Sequence, residues 1–439
     1  MEMNTDRINR ELLEFLDASP NAFFAVDNMA KKLKKSGFQR LYETEAWRLE
    51  EGGDYYVTRN DSALIAFRIP DGGWRGFNIM ASHADSPSFK IKINPEISVE
   101  DNFTTLNIEK YGGMLCRTWF DRPLSVAGRV IVKTPEGVES RLVCVDRDLM
   151  MIPSLAIHMD RDANSAGEVN VQNEMLPLLA GKVDRGAFTE LIAEEARADA
   201  DDILDSDLYL YNRDAGKIFG LNGEFIASGR LDDLQCAFAS LSGILSAEPR
   251  GSVAVHCVFD NEEVGSGTRQ GAASTFLRDV MQRINSAFGG GEEDYLRAVA
   301  NSFLVSADNA HSVHPNYAGK ADPTNRPYIN GGIVIKYSAN QKYTTDGVSG
   351  AVFRTVCERA GVPTQTFVNR SDMRGGSTLG NISTSQVALN SVDVGLAQLA
   401  MHSAYETAGV CDTAYLASAA RELFSCSIVQ LSCGKYIVE

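Results

Sequence analysis

Apolar runs in this chain repeatedly stop at an acid or a histidine. Val253-Ala254-Val255-His256-Cys257-Val258-Phe259 gives way to Asp260-Asn261-Glu262-Glu263-Val264-Gly265, a pattern that predicts a buried strand delivering two carboxylates to a glycine-rich turn. The run at 77–82 ends in His83-Ala84-Asp85, and the run at 302–307 ends in Asp308. Helical spacing predicts amphipathic helices over 8–16 and 22–35, interrupted by Ser19-Pro20. Residues 55–59 and 62–69 form an expected hairpin about Asn60-Asp61, and 332–337 reads as a strand carrying Lys336. A small-residue helix is expected over 235–245, after Arg230-Leu231-Asp232-Asp233, and 403–408 reads as a helix start behind His402.

Strands and helices alternate at both ends of the chain, which points to an α/β core. From about 91 to 211 the texture changes to short β-type runs at 104–108, 124–133 and 140–145, with helical spacing reappearing only at 186–196. The expected organisation is a catalytic domain in two parts, 1–90 and 226–439, with a mainly β insertion at 91–225. No period of repeat length is present.

The 439 residues exceed a usual single core, and the 44% hydrophobic content supports a folded one. A net charge of -16 excludes nucleic acid and anionic membranes as general partners, so an acidic substrate must find its counter-charge locally. The eight cysteines are scattered without a CxxC, no run reaches membrane-spanning length, and Met1 to Asp17 lacks a signal-type apolar core. The expectation is a soluble cytoplasmic protein with reduced thiols.

His83, Asp232, Glu263, Asp308 and His402 each stand at or beside the end of an apolar run or helix start. Five nitrogen and oxygen donors without a thiolate favour two divalent cations, with Zn²⁺ first and Mn²⁺ or Co²⁺ admissible, over one structural zinc. A pair of ions needs a bridging carboxylate, for which Asp232 at a helix mouth is suitably short; helix capping is the plainer reading of the same Asp-Asp pair. Glu262 is left beside the metals as a general base. Asp85, two residues beyond His83, shares its face of an extended chain and is placed to orient the imidazole. Lys336 either reaches solvent or supplies a fixed positive charge inside a pocket. Arg374, in the polar turn 372–380, is either a second cation of the site or a loop residue. His158 follows an apolar run with nothing local to assign it, and His311 and His314 are read as lining or supporting residues.

His83-Ala84-Asp85-Ser86-Pro87, Trp119-Phe120-Asp121-Arg122-Pro123-Leu124, Arg230-Leu231-Asp232, Asn261-Glu262-Glu263-Val264-Gly265, Ser306-Ala307-Asp308, His314-Pro315-Asn316-Tyr317 and Ala400-Met401-His402-Ser403 occur in the order seen in the aspartyl aminopeptidases of peptidase family M18, which this chain resembles nearly throughout. The resemblance implies a three-layer α/β/α zinc-peptidase-like catalytic domain, an inserted, mainly β dimerisation domain, and dimers assembling into a tetrahedral dodecamer. It implies removal of N-terminal Asp or Glu from peptides, with His83 and Asp308 on one metal, Glu263 and His402 on the other, Asp232 bridging and Glu262 as base. It also implies that His158 enters a neighbouring subunit's site to steady the tetrahedral intermediate, and that Lys336 recognises the acidic side chain. Met373-Arg374 departs from the Thr-Pro of the animal members, which leaves the part of Arg374 in specificity open.

The reaction expected from this constellation is attack by a hydroxide bridging two metals, with Glu262 taking the proton. Two rivals use the same residues: a metal-dependent deacylase or amidase acting on a non-peptide amide, and a non-catalytic oligomeric module with a vestigial site.

Overall fold

A computed structural model describes residues 4–439 except 166, 374, 377 and 433; Arg374 therefore lies outside the described residues. Nine strands form the central sheet, in the order Gln39–Arg40, Asp54–Arg59, Ala63–Arg68, Gly251–Phe259, Trp74–His83, Phe303–Ala307, Asn390–Gly395, Ile333–Tyr337 and Thr364–Val368. Four of them, Gly251–Phe259 through Asn390–Gly395, are mutually parallel and sit in the middle. These central strands are apolar on both faces, as burial between two helical layers requires. Residue alternation divides the core. Ala254 and Val258 pack toward the layer containing Thr5–Asp17, Ala22–Lys35, Leu231–Ser246, Gly347–Ala360 and Asp412–Ser425. Val253, Val255, Cys257 and Phe259 pack toward Phe276–Ala287, Glu292–Ala300 and Leu379–Gln386.

Asn60 and Asp61 both adopt positive φ, 56° and 55°, and turn the hairpin Asp54–Arg59 into Ala63–Arg68 as that sequence pattern demands. Residues from Ser88 to Asn212 include a separate six-stranded antiparallel sheet, ordered Gly137–Cys144, Leu124–Thr134, Ile203–Asn212, Ser88–Val99, Phe103–Tyr111 and Leu178–Gly181. It has its own core, with Phe89, Leu106, Trp119, Val126 and Leu208 packed beneath the helix Ala187–Ala196. Among the described residues no helix is long and apolar enough to cross a membrane.

The sequence pattern misses a third sheet, of five short strands: Lys217–Phe219, Phe225–Ser228, Glu406–Gly409, Ala397–Leu399 and Ala310–His311. It also corrects the helix start expected over 403–408. The chain turns after His402 and enters the strand Glu406–Gly409, which pairs antiparallel with Phe225–Ser228. The short, small-residue run offered little periodicity to separate helix from strand, and tertiary pairing decided. The expected helix at 235–245 is longer, Leu231–Ser246, but Asp232 (φ −82°, ψ 108°) and Asp233 (φ −118°, ψ 19°) are not helical and are joined by a cis peptide bond. Both aspartates thus stand ahead of the regular helix.

Candidate active site

Three chain segments meet at the carboxyl ends of the parallel strands, where an open α/β sheet forms its crevice. Phe259 is in register with His83, and Ser306 with Ala81, so Glu262-Glu263, His83 and Asp308 emerge side by side. Asp308 lies beside Gly395 of the neighbouring strand; a Cβ at Gly395 would fall 1.9 Å from the Asp308 carbonyl oxygen, so only glycine allows this approach. Asp232 arrives from the helix mouth and His402 from the turn before Glu406–Gly409.

The five side chains converge. His83 Nε2 lies 3.5 Å from Asp232 Oδ1 and 4.0 Å from Asp308 Oδ1, while His402 Nε2 lies 3.3 Å from Asp232 Oδ2 and 3.4 Å from Glu263 Oε1. Asp232 therefore faces both imidazoles with different oxygens. His83, Asp232 and Glu263 each offer an atom within 4.8 Å of the others, and so do His83, Asp233 and Asp308. Asp233 enters the cluster unforeseen. Its Oδ2 already accepts the backbone N–H of His83 at 3.1 Å, whereas buried Asp232 Oδ1 and Glu263 Oε1 have no hydrogen-bond partner, so these two are the more available donors.

Asp85 holds the site from behind through both its main chain and its carboxylate. Its carbonyl oxygen lies 2.9 Å from His83 Nδ1, and its Oδ1 lies 3.4 Å from the same nitrogen. A proton on Nδ1 would leave Nε2 free as a donor of its lone pair. The Asp85 carboxylate also accepts the N–H groups of Glu262 and Glu263 at 3.0 and 3.1 Å, which fixes the glutamate turn against the histidine. The ring nitrogen Nδ1 of His402 is turned to the Gly113 carbonyl oxygen at 2.5 Å, again presenting Nε2 inward.

A pocket of about 220 Å³ opens over this cluster. Glu262 lines it next to the five, and Lys336 closes one side with its Nζ 4.0 Å from Asp308 Oδ2 and 2.8 Å from the Asn309 carbonyl oxygen that accepts from it. His311 also lines the pocket, beside Phe367. His314 does not; its Nδ1 accepts the backbone N–H of Asn316 outside. His158 lies on an exposed loop and does not line the pocket of its own chain.

The electrostatics ask for positive charge. Asp232, Asp233, Glu262, Glu263 and Asp308 crowd two imidazoles and one ammonium. Burial pushes Glu262 up to about 7, with His83 opposing and Asp308 and Asp85 adding to the rise. Burial likewise raises Asp308 to about 6 against the pull of Lys336. At His402 burial disfavours the charged ring, but Asp232 and Glu263 outweigh it and raise the group to about 10. His83 is driven up in the same way by Asp232 and Asp85. A dication bound here would displace the ring proton and relieve the carboxylate repulsion. The orphaned Asp232 and Glu263 oxygens, the inward Nε2 atoms and the all nitrogen and oxygen donor set fit zinc-type ions.

Carboxylates and imidazoles gathered beneath an open pocket at the carboxyl edge of a parallel sheet define a metal-dependent hydrolase. The chain belongs to the M18 peptidase family, matching the family description "Aminopeptidase I zinc metalloprotease (M18)" over residues 15–424. A Clostridium acetobutylicum protein named "Probable M18 family aminopeptidase 2" is 46% identical over 424 residues, 95% of this chain and 98% of the relative. Among solved structures, Ape4 in its complex with Nbr1 is 36% identical with a TM-score of 0.92, over 97% of this chain and 87% of that one. The S. cerevisiae mApe1 dodecamer is 26% identical with a TM-score of 0.84, over 96% of each chain. The protein is thus a zinc-family aminopeptidase, with the α/β/α catalytic fold and inserted β domain of its relatives.

Proposed function

We propose that this aminopeptidase removes acidic residues, Asp and Glu, from the N-termini of peptides. The observation that carries this reading is the ammonium of Lys336, 3% exposed and set in the pocket wall beside Asp308. In a protein of net charge -16 it places a fixed positive charge where the first side chain of a substrate would lie. Burial disfavours its charge, yet Asp308, Tyr343 and Asp393 hold its pKa above the usual lysine value.

His83 and Asp308 would hold one divalent ion, Glu263 and His402 a second, and Asp232 both. Such ions, when bound, polarise the scissile carbonyl and acidify the attacking water. Of the two carboxylates of the cluster not assigned to an ion, Asp233 is engaged by the His83 N–H, and Glu262 lines the pocket; Glu262 takes the proton of the attacking water and returns it to the leaving amine. The neighbouring carboxylates receive the substrate's free ammonium group. His158 does its work in another subunit, hydrogen-bonding the oxyanion there, which accords with its exposure among Leu155, Ile157 and Met159, themselves 59%, 45% and 75% exposed. The assembly that brings it there is a dodecamer built from dimers; the mApe1 relative is named a dodecamer. A cytoplasmic setting agrees with the free state of every described cysteine.

The test is a panel of aminoacyl anilides, Asp and Glu against Leu, Ala and Lys, on protein stripped of metal and refilled with Zn²⁺, Mn²⁺ or Co²⁺ in turn. Preferential turnover of Asp and Glu is expected. Equal turnover of Leu refutes the acidic preference, and cleavage of N-acyl amino acids alone would make the protein a deacylase.

A further inference from the structure

Glu406 begins the strand Glu406–Gly409 and is only 2% exposed. Its two carboxylate oxygens serve two distant segments: Oε1 accepts the backbone N–H of His402 at 2.7 Å, and Oε2 that of Asp232 at 3.1 Å. One carboxylate thus ties together the main chains of the side chain facing both imidazoles and of one of those imidazoles. The tie is needed there. His402 and Ala400 have φ of 65° and 55°, and Arg230, two residues before Asp232, has φ of 60°. Non-glycine residues in this left-handed region are held only where surrounding structure over-determines them. A buried carboxylate is also costly beside five others, and a cation in the cluster offsets that cost.

We propose that Glu406 is a positioning residue for the metal centre: it sets the separation and aim of Asp232 and His402. The inference rests on the reading that those two residues ligate metal. Glu406→Gln keeps the size of the side chain and one acceptor while turning an amide donor toward one of the two N–H groups.

The experiment measures ions per subunit by elemental analysis after dialysis against graded chelator, together with oligomer size, kcat and KM. Glu406→Gln is expected to keep its fold and size and to lose one ion per subunit at about 10–100-fold lower chelator than wild type, the scale for groups that orient a metal ligand. kcat should fall with little change in KM and recover when excess metal is added, a rescue that a purely structural defect would not show. Retention of both ions at wild-type chelator resistance overturns the proposal. If Glu406→Gln does not fold, Glu406→Asp, which keeps the charge but withdraws the oxygens by one methylene, must show the same loss of an ion, and full retention there overturns it equally. Wild-type protein that binds no divalent ion would instead remove the metal reading itself, a result distinct from failure of the variant.

Discussion

Tyr111 donates its hydroxyl to Asp85 Oδ2 at 2.7 Å and in turn accepts the side-chain N–H of Asn261 at 2.9 Å. Tyr111 belongs to the inserted sheet and Asp85 to the loop behind His83, so the insertion is hydrogen-bonded to the residue that orients the site. Tyr111→Phe should lower kcat by about 10-fold with unchanged KM, because Asp85 loses a partner that helps fix its direction. Steady-state kinetics with parallel metal analysis check this, and an unaltered kcat would show that the insertion does not support the site through this contact.

Replacement of the buried Lys336 ammonium separates recognition from chemistry. Lys336→Met should reduce kcat/KM for Asp and Glu anilides by about 10²-fold, the scale of losing one partner of a desolvated charge pair. Leu anilide should change by less than about threefold, since it offers no carboxylate to the missing charge. An equal loss on all three substrates would assign Lys336 to holding Asp308 instead.

Glu262→Gln should keep the ion content and lower kcat by at least about 10²-fold, because the amide keeps the shape of the side chain but cannot accept the proton of the attacking water. His158→Ala should also be impaired. If His158 acts across a subunit boundary, oligomers co-assembled from the two variants contain some sites with both groups intact. Mixed assemblies are therefore expected to exceed the activity of either variant alone. Activity equal to the mean of the two would place His158 outside any neighbouring site.

His256, on the central strand, is fully buried with Nδ1 2.8 Å from Ser240 Oγ, and burial pushes it down to about 3. The folded protein therefore keeps the ring neutral while the unfolded chain takes up a proton below about pH 6.5. Stability is complete above that value and is lost from this group as pH falls toward 3, by at most about 1.4 kcal/mol per pH unit. His256→Asn should flatten that part of the acid flank, measured as the urea midpoint at about pH 7 and about pH 5. An unchanged difference between the two midpoints would mean that the ring is protonated in the fold.

The donors that ended apolar runs were legible because a strand's end is a local event. A run such as 253–259 announces its burial, and the acids after it must lie at the sheet's edge. Glu406 and Asp233 gave no such sign. Glu406 was hidden in a stretch that read as a helix start, and Asp233 was one of two adjacent aspartates with a capping role available to either. His158 carries too little local pattern to be assigned, and its loop's exposed apolar residues become visible only in the folded chain.

Residue order and periodicity by themselves determined the α/β core, the β-rich character of the insertion, and the set of acids and imidazoles available for chemistry, because burial and backbone preference act over a few neighbouring residues. Convergence was decided only in three dimensions. Strand order put His83, Glu263 and Asp308 at one edge, and the cross-pairing of Phe225–Ser228 with Glu406–Gly409 brought Asp232 and His402 onto one carboxylate. Contacts between segments so far apart along the chain depend on how whole layers pack, which no window of sequence contains.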